Sequence, residues 1–536
     1  MTFNEVKEAL SDQFPGSVIQ NDDLPEGQIE INSENWLEVA TFMKTDPKLS
    51  FDQLECITGV DTGDDGPLQS HYNFHSMEHR HKVEIVINHD RKEPKVASIE
   101  QVWRIGDWFE RETFDMFGIV YEGHRDLRRI LCPDDWEGWP LRKDYETQES
   151  FHGILVPKNQ GRRRLGVVQG DQMVLNIGPQ HPSTHGVLRL EVMTDGEIVS
   201  KITPHLGYLH RCFEKHAENV TYEQVIPFTD RCDYLASMNS NFGYVVAMED
   251  LMEIEVSERV QYIRVIMAEL NRIASHLLAL GVYGLDIGAF TPFLYMLRDR
   301  ERILDMFEYT CGARLLYNYM WIGGVSHDLP KDFEKICFEF LDYFEPQIEE
   351  YNNLLTYNKI FIERTADVGV IPADIAISYG VSGPNLRGSG VNWDVRKDEP
   401  YSIYDRFEFD IPTGTGEFGT LGDCFDRYWV RMLEISQSAK IIRQALKDLP
   451  GGDVFETMPK KIRPPKGSIY RRTESPRGDL GYYIMSDGTP SPSRVKMRSP
   501  AFTALSCLDE VSSGWMISDV LAILGSLDIV LGEIDR

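Results

Sequence analysis

Apolar residues recur every three or four positions in three long stretches of this chain, and each such stretch predicts a helix with one buried face. Between Ser257 and Leu280 the stripe is Val260, Ile263, Met267, Leu270, Ile273, Leu277 and Leu280. Similar stripes run from Asp332 to Leu355 and from Asp423 to Leu449, the latter closed by Gly451-Gly452. Thr291 followed by Pro292 predicts another helix start, with Thr as cap and Pro in the first turn. Near the beginning, Phe3, Val6, Leu10 and Phe14 keep the helical spacing. Strand composition marks Val83 to Asn88 (VEIVIN) and Val96 to Val102 (VASIEQV). A second β-rich group begins at Met173 with MVLNIG, VLRLEVM and IVSKITP, the last two joined through Asp195-Gly196, a dipeptide that favours a tight hairpin.

This patterning divides the chain into a small α+β domain over residues 1–147, a polar linker over 148–170, and a larger, mainly helical domain with small β elements over 171–536. A length of 536 residues agrees, because single hydrophobic cores stop growing well below it. The basic run Arg162, Arg163 and Arg164 in the linker reads as a solvated stretch.

Charge narrows the partners. A formal net charge of −30 argues against nucleic acid or anionic lipid as the main partner, since both are held by basic surfaces. The opening MTFNEVKEALSDQF lacks the basic end and apolar run of a signal peptide. The stretch nearest to a membrane span, Leu277 to Leu297, carries Asp286 and several glycines and is expected to be buried interior. The 8 cysteines (Cys56, Cys132, Cys212, Cys232, Cys311, Cys337, Cys424 and Cys507) contain no CxxC pair, so they predict no metal site and read as reduced core thiols on the cytoplasmic side.

Candidate chemistry concentrates between Gly178 and Leu190, GPQHPSTHGVLRL, where His181 and His185 sit on a turn that Pro182 stiffens and Gly186 frees. Imidazole has the side-chain pKa nearest neutrality, which suits proton donation. Two glycine-rich strings compete for attention. GTGEFG at Gly414 to Gly419 satisfies the GxGxxG pattern, yet Glu434, the acid at about the right distance, falls inside a helix. GVSGPNLRGSG at Gly380 to Gly390 lacks the Lys-Ser/Thr of a phosphate loop. No nucleotide site is expected.

Residues 101–145, QVWRIGDWFERETFDMFGIVYEGHRDLRRILCPDDWEGWPLRKDY, resemble the C subunit (30-kDa type) of NADH:quinone oxidoreductase, respiratory complex I. The histidine loop, HLGYLHRCFEK, RCDYLASM, LNRIASHLLALGVYGLDIGAFTPF, IGGVSHDLP, SGVNWDVRK, RGDLGYYIMSDG and SLDIVLGEIDR resemble its D subunit (49-kDa type). The chain therefore looks like a fused C/D subunit. That resemblance implies a nickel-iron hydrogenase large-subunit type of fold for the second domain. The hydrogenase metal ligands are missing: of the matching positions, Cys232 alone is a thiol, against Ser526, Asp528 and Gly532.

By the same resemblance, His185 and Tyr234 match the residues that bond the two quinone oxygens, Asp286 the carboxylate behind the histidine, and His181 belongs to the supporting loop. Arg211, Arg231 and Leu316 match positions near the terminal iron-sulfur cluster of the partner B subunit. Leu316 and Trp321 stand where relatives often have histidine and arginine. The implied activity is quinone reduction within a proton-translocating NADH:quinone oxidoreductase. Quinone is then the substrate, no cofactor is held by this chain, and the B, I and membrane H subunits are partners. The implied location is peripheral, on the cytoplasmic side of the bacterial inner membrane. Two alternatives are a true hydrogenase large subunit, which the absent cysteine pairs oppose, and a structural scaffold with a silent cavity, which the presence of His185, Tyr234 and Asp286 opposes.

Overall fold

The computed structural model describes residues 1–536 except 22, 23, 26, 64, 65, 147–171, 182, 183, 185 and 460. The expected linker and His185 therefore lie outside the described residues. The chain forms two compact units. One comprises Met1–His181, Val187–Tyr208 and Ser512–Val520; the other contains Leu209–Val511, Leu521–Arg536 and, from the histidine loop, Gly186.

The first unit opens with α1 (Phe3–Gln13), which buries Val6 and Leu10 and is closed at its start by a capping box between Thr2 and Glu5. Strands β1 (Val18–Ile19) and β2 (Gln28–Ile31), helix α2 (Trp36–Thr45), and strands β3 (Gln53–Asp61), β4 (Leu68–His75) and β5 (Lys82–His89) follow. The sheet order is β1-β2-β5-β4-β3, parallel between β2 and β5 and antiparallel elsewhere. Its core packs Trp36 against Tyr72 and Trp103 against Phe74, each pair of ring centres 4.7 Å apart and tilted.

VEIVIN lies within β5, but VASIEQV departs from expectation. Only β6 (Lys95–Ala97) is extended, and the chain turns through 99–105. The cause is Glu110 of α3 (Gly106–Phe117), whose carboxyl accepts Ser98 Oγ at 2.6 Å and Ile99 N at 2.7 Å. That bond takes a main-chain donor a longer strand would need. Burial pushes Glu110 up to about 8, against those two bonds. β6 pairs in parallel with β7 (Val120–Glu122).

Strands β8 (Gln172–Ile177), β9 (Arg189–Asp195) and β10 (Ile198–His205) form the antiparallel sheet expected after Met173, and it belongs to the first unit. Asp195 pairs with Ile198, so the two loop residues are Gly196 and Glu197, with Gly196 at φ +60°.

The second unit is a helical assembly on a small sheet: α4 (Phe213–Glu218), α5 (Tyr222–Cys232), α6 (Ser237–Met252), α7 (Glu258–Asp286), α8 (Phe290–Cys311), α9 (Phe333–Tyr351) and the helix Cys424–Lys447. Strands Gly467–Ser475, Gly478–Ser486 and Arg494–Arg498 pair antiparallel. Ser257 caps α7 and Asp423 caps Cys424–Lys447. The predicted stripe of α7 is buried throughout, and the helix continues beyond Leu280. Gly281 and Gly284 make room there, since side chains at these positions would crowd Phe293 and Leu355 at 3.2 and 3.1 Å. Over its most apolar 18 residues α7 has a mean hydropathy of 1.3, so it is long and apolar enough to cross a membrane, yet 83% of that stretch is buried in protein. The stretch Leu277 to Leu297 is thus not uniformly interior: it turns between α7 and α8, and Phe290 and Leu294 are exposed. Thr291 is not a cap either. The helix starts one residue earlier and Pro292 occupies its first turn, where no helical N–H bond is lost.

The other face of α7 explains its length in the core. Glu269, Arg272 and His276, all fully buried, meet charges from elsewhere in the chain. His276 Nε2 lies 2.9 Å from Glu434, which accepts Arg387 Nη2 at 2.6 Å and Nε at 2.9 Å. Arg387 also reaches Glu474 at 2.9 Å and Asp394 at 3.4 Å, while Arg396 bridges Asp394 at 2.7 Å and Glu269 at 3.2 Å.

Candidate functional site

The C-terminal segment packs against two of the residues singled out in the sequence, Asp286 and Tyr234, and against Gly186 of the histidine loop. Gly525 packs against α7, where a methyl group on it would lie 2.8 Å from the Tyr283 ring and 3.5 Å from Asp286 Oδ2. Asp286 is the last residue of α7 and is half-buried. Gly186, at φ +144°, packs on Leu531, whose Cδ1 is 2.9 Å from the place a Cβ would take. Gly532 has no room for a side chain: a Cβ would meet the Cys232 carbonyl at 2.7 Å, the Arg231 carbonyl at 3.0 Å and Tyr234 Cδ1 at 3.4 Å. The end of the histidine loop, Tyr234 and Asp286 are therefore carried on one short run of chain, 525–532.

Tyr234 sits in the turn between α5 and α6. Asp233 fixes this turn, its Oδ1 accepting Leu235 N and Ala236 N at 3.2 Å each. Its Oδ2 accepts Arg477 Nη1 at 2.7 Å, and Arg477 reaches Asp528 at 3.4 Å, with Arg431 3.7 Å from the same carboxylate. Burial raises the phenol of Tyr234, the Arg477 guanidinium lowers it and Asp233 raises it. The half-buried phenol thus holds its proton at neutral pH beside a fixed cation, an arrangement suited to donating a hydrogen bond to a developing oxyanion. Glu533 is fully buried in the same interior, and burial with Asp233 nearby raises it to about 8 against the Arg477 charge. Asp233, Arg477 and Glu533 were not singled out in the sequence, although for the last two the charges inside the apolar strings RGDLGYYIM and SLDIVLGEI are a visible signal.

At the other end of the loop, Gly178 takes φ +86° with Leu188 O 2.0 Å from any Cβ it could carry, so only glycine fits. Thr184 Oγ1 donates to Gly186 O at 3.2 Å. His181 is exposed and falls within the first unit.

The three residues expected near a partner's cluster lie on segments that meet around α5. Arg211 and Arg231 are exposed; Arg211 N donates to Arg536 O at 3.1 Å and Arg231 Nη1 to Pro227 O at 2.6 Å. Leu316 is half-buried at φ +56°, a left-handed conformation that leucine disfavours. Two residues on, Asn318 N donates to Asp230 Oδ2 at 3.0 Å. Burial raises Asp230 to about 7 against that bond. Trp321 is 41% exposed, its Nε1 donating to Asn318 O at 2.9 Å.

The positions that match hydrogenase ligands offer little to a metal. Burial pushes the Cys232 thiol up, Ser526 Oγ accepts Arg427 Nε at 3.0 Å, and Asp528 faces the two arginines. In the first unit Glu100, Asp107 and His124 approach one another closely enough to hold an ion. However, Asp126 N donates to His124 Nδ1 at 3.0 Å, which leaves the ring proton on Nε2, pointing at these carboxylates.

Neither glycine-rich string is open to a phosphate. In GTGEFG, Thr415 N and Gly416 N donate to the Asp426 carboxyl at 3.3 and 3.1 Å, joined by Gly422 N at 3.0 Å. Gly383 of the second string lies against Gly478, whose Cα is 2.3 Å from the place a Cβ would take.

Residues 29–151 match the family of the respiratory-chain NADH dehydrogenase 30-kDa subunit, and residues 286–464 and 453–536 match that of the 49-kDa subunit. The D subunit of NADH-quinone oxidoreductase from Chlorobium luteolum is 56% identical over 394 residues, 73% of this chain and 98% of that protein. Its counterpart in Chlorobaculum tepidum is 55% identical over 370 residues, 68% and 92% of the two chains. A D-type subunit of the same enzyme from Cytophaga hutchinsonii is 53% identical over 382 residues, 69% and 97%.

Proposed function

Because the chain belongs to the family of the NADH-quinone oxidoreductase D subunit and carries a 30-kDa-type domain before it, we propose that its second unit forms a quinone headgroup site together with a B subunit. The chain itself is an oxidoreductase subunit of complex I. The observation that supports the site is the convergence of Tyr234, Gly186 and Asp286 on 525–532. Tyr234 donates to one quinone oxygen and His185 to the other, and Asp286 balances the charge on His185. Each quinone takes up two electrons from the partner's cluster and two protons, and leaves as quinol. Arg477 orients and polarises Tyr234 without touching the substrate.

In this reading Arg211, Arg231 and Leu316 face the B subunit's iron-sulfur cluster. The chain holds no metal of its own, and its helical unit has the hydrogenase large-subunit type of fold. The I and H subunits are further neighbours, and the complex lies peripherally on the cytoplasmic side of the inner membrane.

Tyr234→Phe in the assembled complex tests the site. Removing a positioned proton donor costs about 10²- to 10⁴-fold. Quinone reduction should fall by that factor while electron transfer from NADH to ferricyanide stays intact. Parental quinone reduction in an assembled Tyr234→Phe complex rules the site out.

A further inference from the structure

Cys212 is one of three half-buried cysteines, with Cys132 and Cys311; the other five are buried. Its backbone is left-handed, φ +52° and ψ +42°, a conformation that few side chains other than glycine adopt readily. The sulfur lies 3.5 Å from Nε2 of His210, two residues earlier. On the opposite side of that ring, Nδ1 lies 2.6 Å from the main-chain oxygen of Asp535. A carbonyl only accepts, so Nδ1 carries a proton and the neutral ring has its lone pair on Nε2, facing the sulfur. Asp535 is itself tied to the segment, its carboxylate accepting Leu209 N at 2.7 Å. Nucleophile, base and orienting acceptor are thus in line, the arrangement that activates a cysteine.

We propose that Cys212 and His210 form a nucleophilic thiol–imidazole pair, a modification site for peroxides and other soft electrophiles. The surroundings favour it. Burial works against a charged ring, yet the sulfur and the Asp535 carbonyl hold His210 up at about 9. Arg211, between the two residues in the chain, is exposed. At pH 7 the His210 ring therefore carries a proton on each nitrogen, and in the reaction with hydrogen peroxide the Sγ proton leaves to water while Nε2–H stabilises the thiolate that attacks one peroxide oxygen. The S–O bond forms as the O–O bond breaks, and the departing hydroxide takes the proton from Nε2, which recovers one from water. Cys–SH and H₂O₂ become Cys–SOH and H₂O, with sulfur oxidised by two electrons and peroxide reduced by two. The consequence for the enzyme rests on the proposed function: Cys212 adjoins Arg211, so a modified sulfur would stand on the surface assigned to the B subunit.

The experiment compares the full-length chain with the assembled complex. Iodoacetamide at pH 7, followed by peptide mass spectrometry, should label Cys212 in the full chain at least about tenfold faster than Cys132 or Cys311. His210→Gln should remove that advantage and leave the Cys132 and Cys311 rates unchanged, which also reports that the fold is retained. Hydrogen peroxide followed by dimedone should mark Cys212 in the parent chain and not in His210→Gln. Equal rates for the three thiols, or an unaltered Cys212 rate in His210→Gln, overturns the proposal. Protection of Cys212 in the complex agrees with a B-facing surface. Undiminished labelling there leaves the reactive pair standing and overturns the surface assignment instead.

Discussion

Arg387 is shared by two carboxyls that should respond very differently to the same substitution. Burial alone would raise Glu434, but Arg387 and His276 hold it far below the ordinary carboxylate range. For Glu474 burial prevails over Arg387, and its value rises to about 8. At pH 7 Glu434 is therefore the charged partner and Glu474 retains its proton. Glu434→Gln leaves a fully buried guanidinium without its main counterion, a loss of roughly 3–5 kcal/mol. At about 2–4 °C per kcal/mol, melting should fall by on the order of 10 °C. Glu474→Gln replaces one neutral group by another and should cost no more than about 1–2 kcal/mol. In the double variant Arg387 keeps only Asp394 and the Trp393 carbonyl, so the loss should exceed the sum of the two singles. Since the folded value of Glu474 is raised, its stabilisation is complete below the unfolded value and is lost as pH rises through about 8. Glu474→Gln should then lose less than the parent between pH 7 and pH 9. Thermal unfolding of the full chain, followed through tryptophan emission, measures all four proteins. Equal losses for the two single variants at pH 7 would refute this division of charge.

Other expectations follow from single contacts. Gly532→Ala places a methyl group 2.7 Å from the Cys232 carbonyl and beside Tyr234, and a displaced donor costs up to about 10²-fold, so quinone reduction should fall further than assembly does; an unchanged rate contradicts the placement of Tyr234. Glu110, raised to about 8, makes the first unit less stable as pH rises from the ordinary carboxylate value through 8, by up to about 1.4 kcal/mol per pH unit. Glu110→Gln should flatten that slope, read by hydrogen exchange of the peptide covering α3 and corrected for intrinsic rate. Leu316→His should relieve a left-handed leucine, because histidine tolerates that conformation better, and should steepen the pH dependence of the partner cluster's potential towards about 59 mV per unit. An EPR-monitored redox titration finding equal slopes in parent and variant contradicts a role for position 316 in setting that slope.

What could be read beforehand tracks where the physical cause is local. The stripe from Val260 to Leu280 predicted α7 because side chains three and four apart share a face of one helix. Its continuation to Asp286 depends on Gly281 and Gly284 meeting residues from α8 and the 352–356 turn, which no single segment contains. VASIEQV had strand composition, yet the chain turns where the Glu110 carboxyl, eleven residues away, accepts Ile99 N. The candidate site divides likewise. Tyr234 and Asp286 are singled out through resemblance to a family. Their common support on 525–532, and the Asp233–Arg477 pair separated by 244 positions, are tertiary facts. Asp286 was expected to be buried and is half-buried, as befits the last residue of a helix.

The Asp426 carboxyl within GTGEFG changes what that loop can recruit from solution. Its main-chain amides would form an anion-binding nest in a protein that left them open. Here the anion is covalently tethered, and a tethered group competes as if present at millimolar concentration or above. An incoming phosphate must first expel it, and expulsion also breaks the bond from Gly422 N and loosens the first turn of Cys424–Lys447, where Asp426 N is capped by Asp423 at 2.8 Å. The loop is in effect a receptor synthesised with its ligand attached, and glycine spacing that elsewhere advertises a nucleotide here secures the start of a core helix.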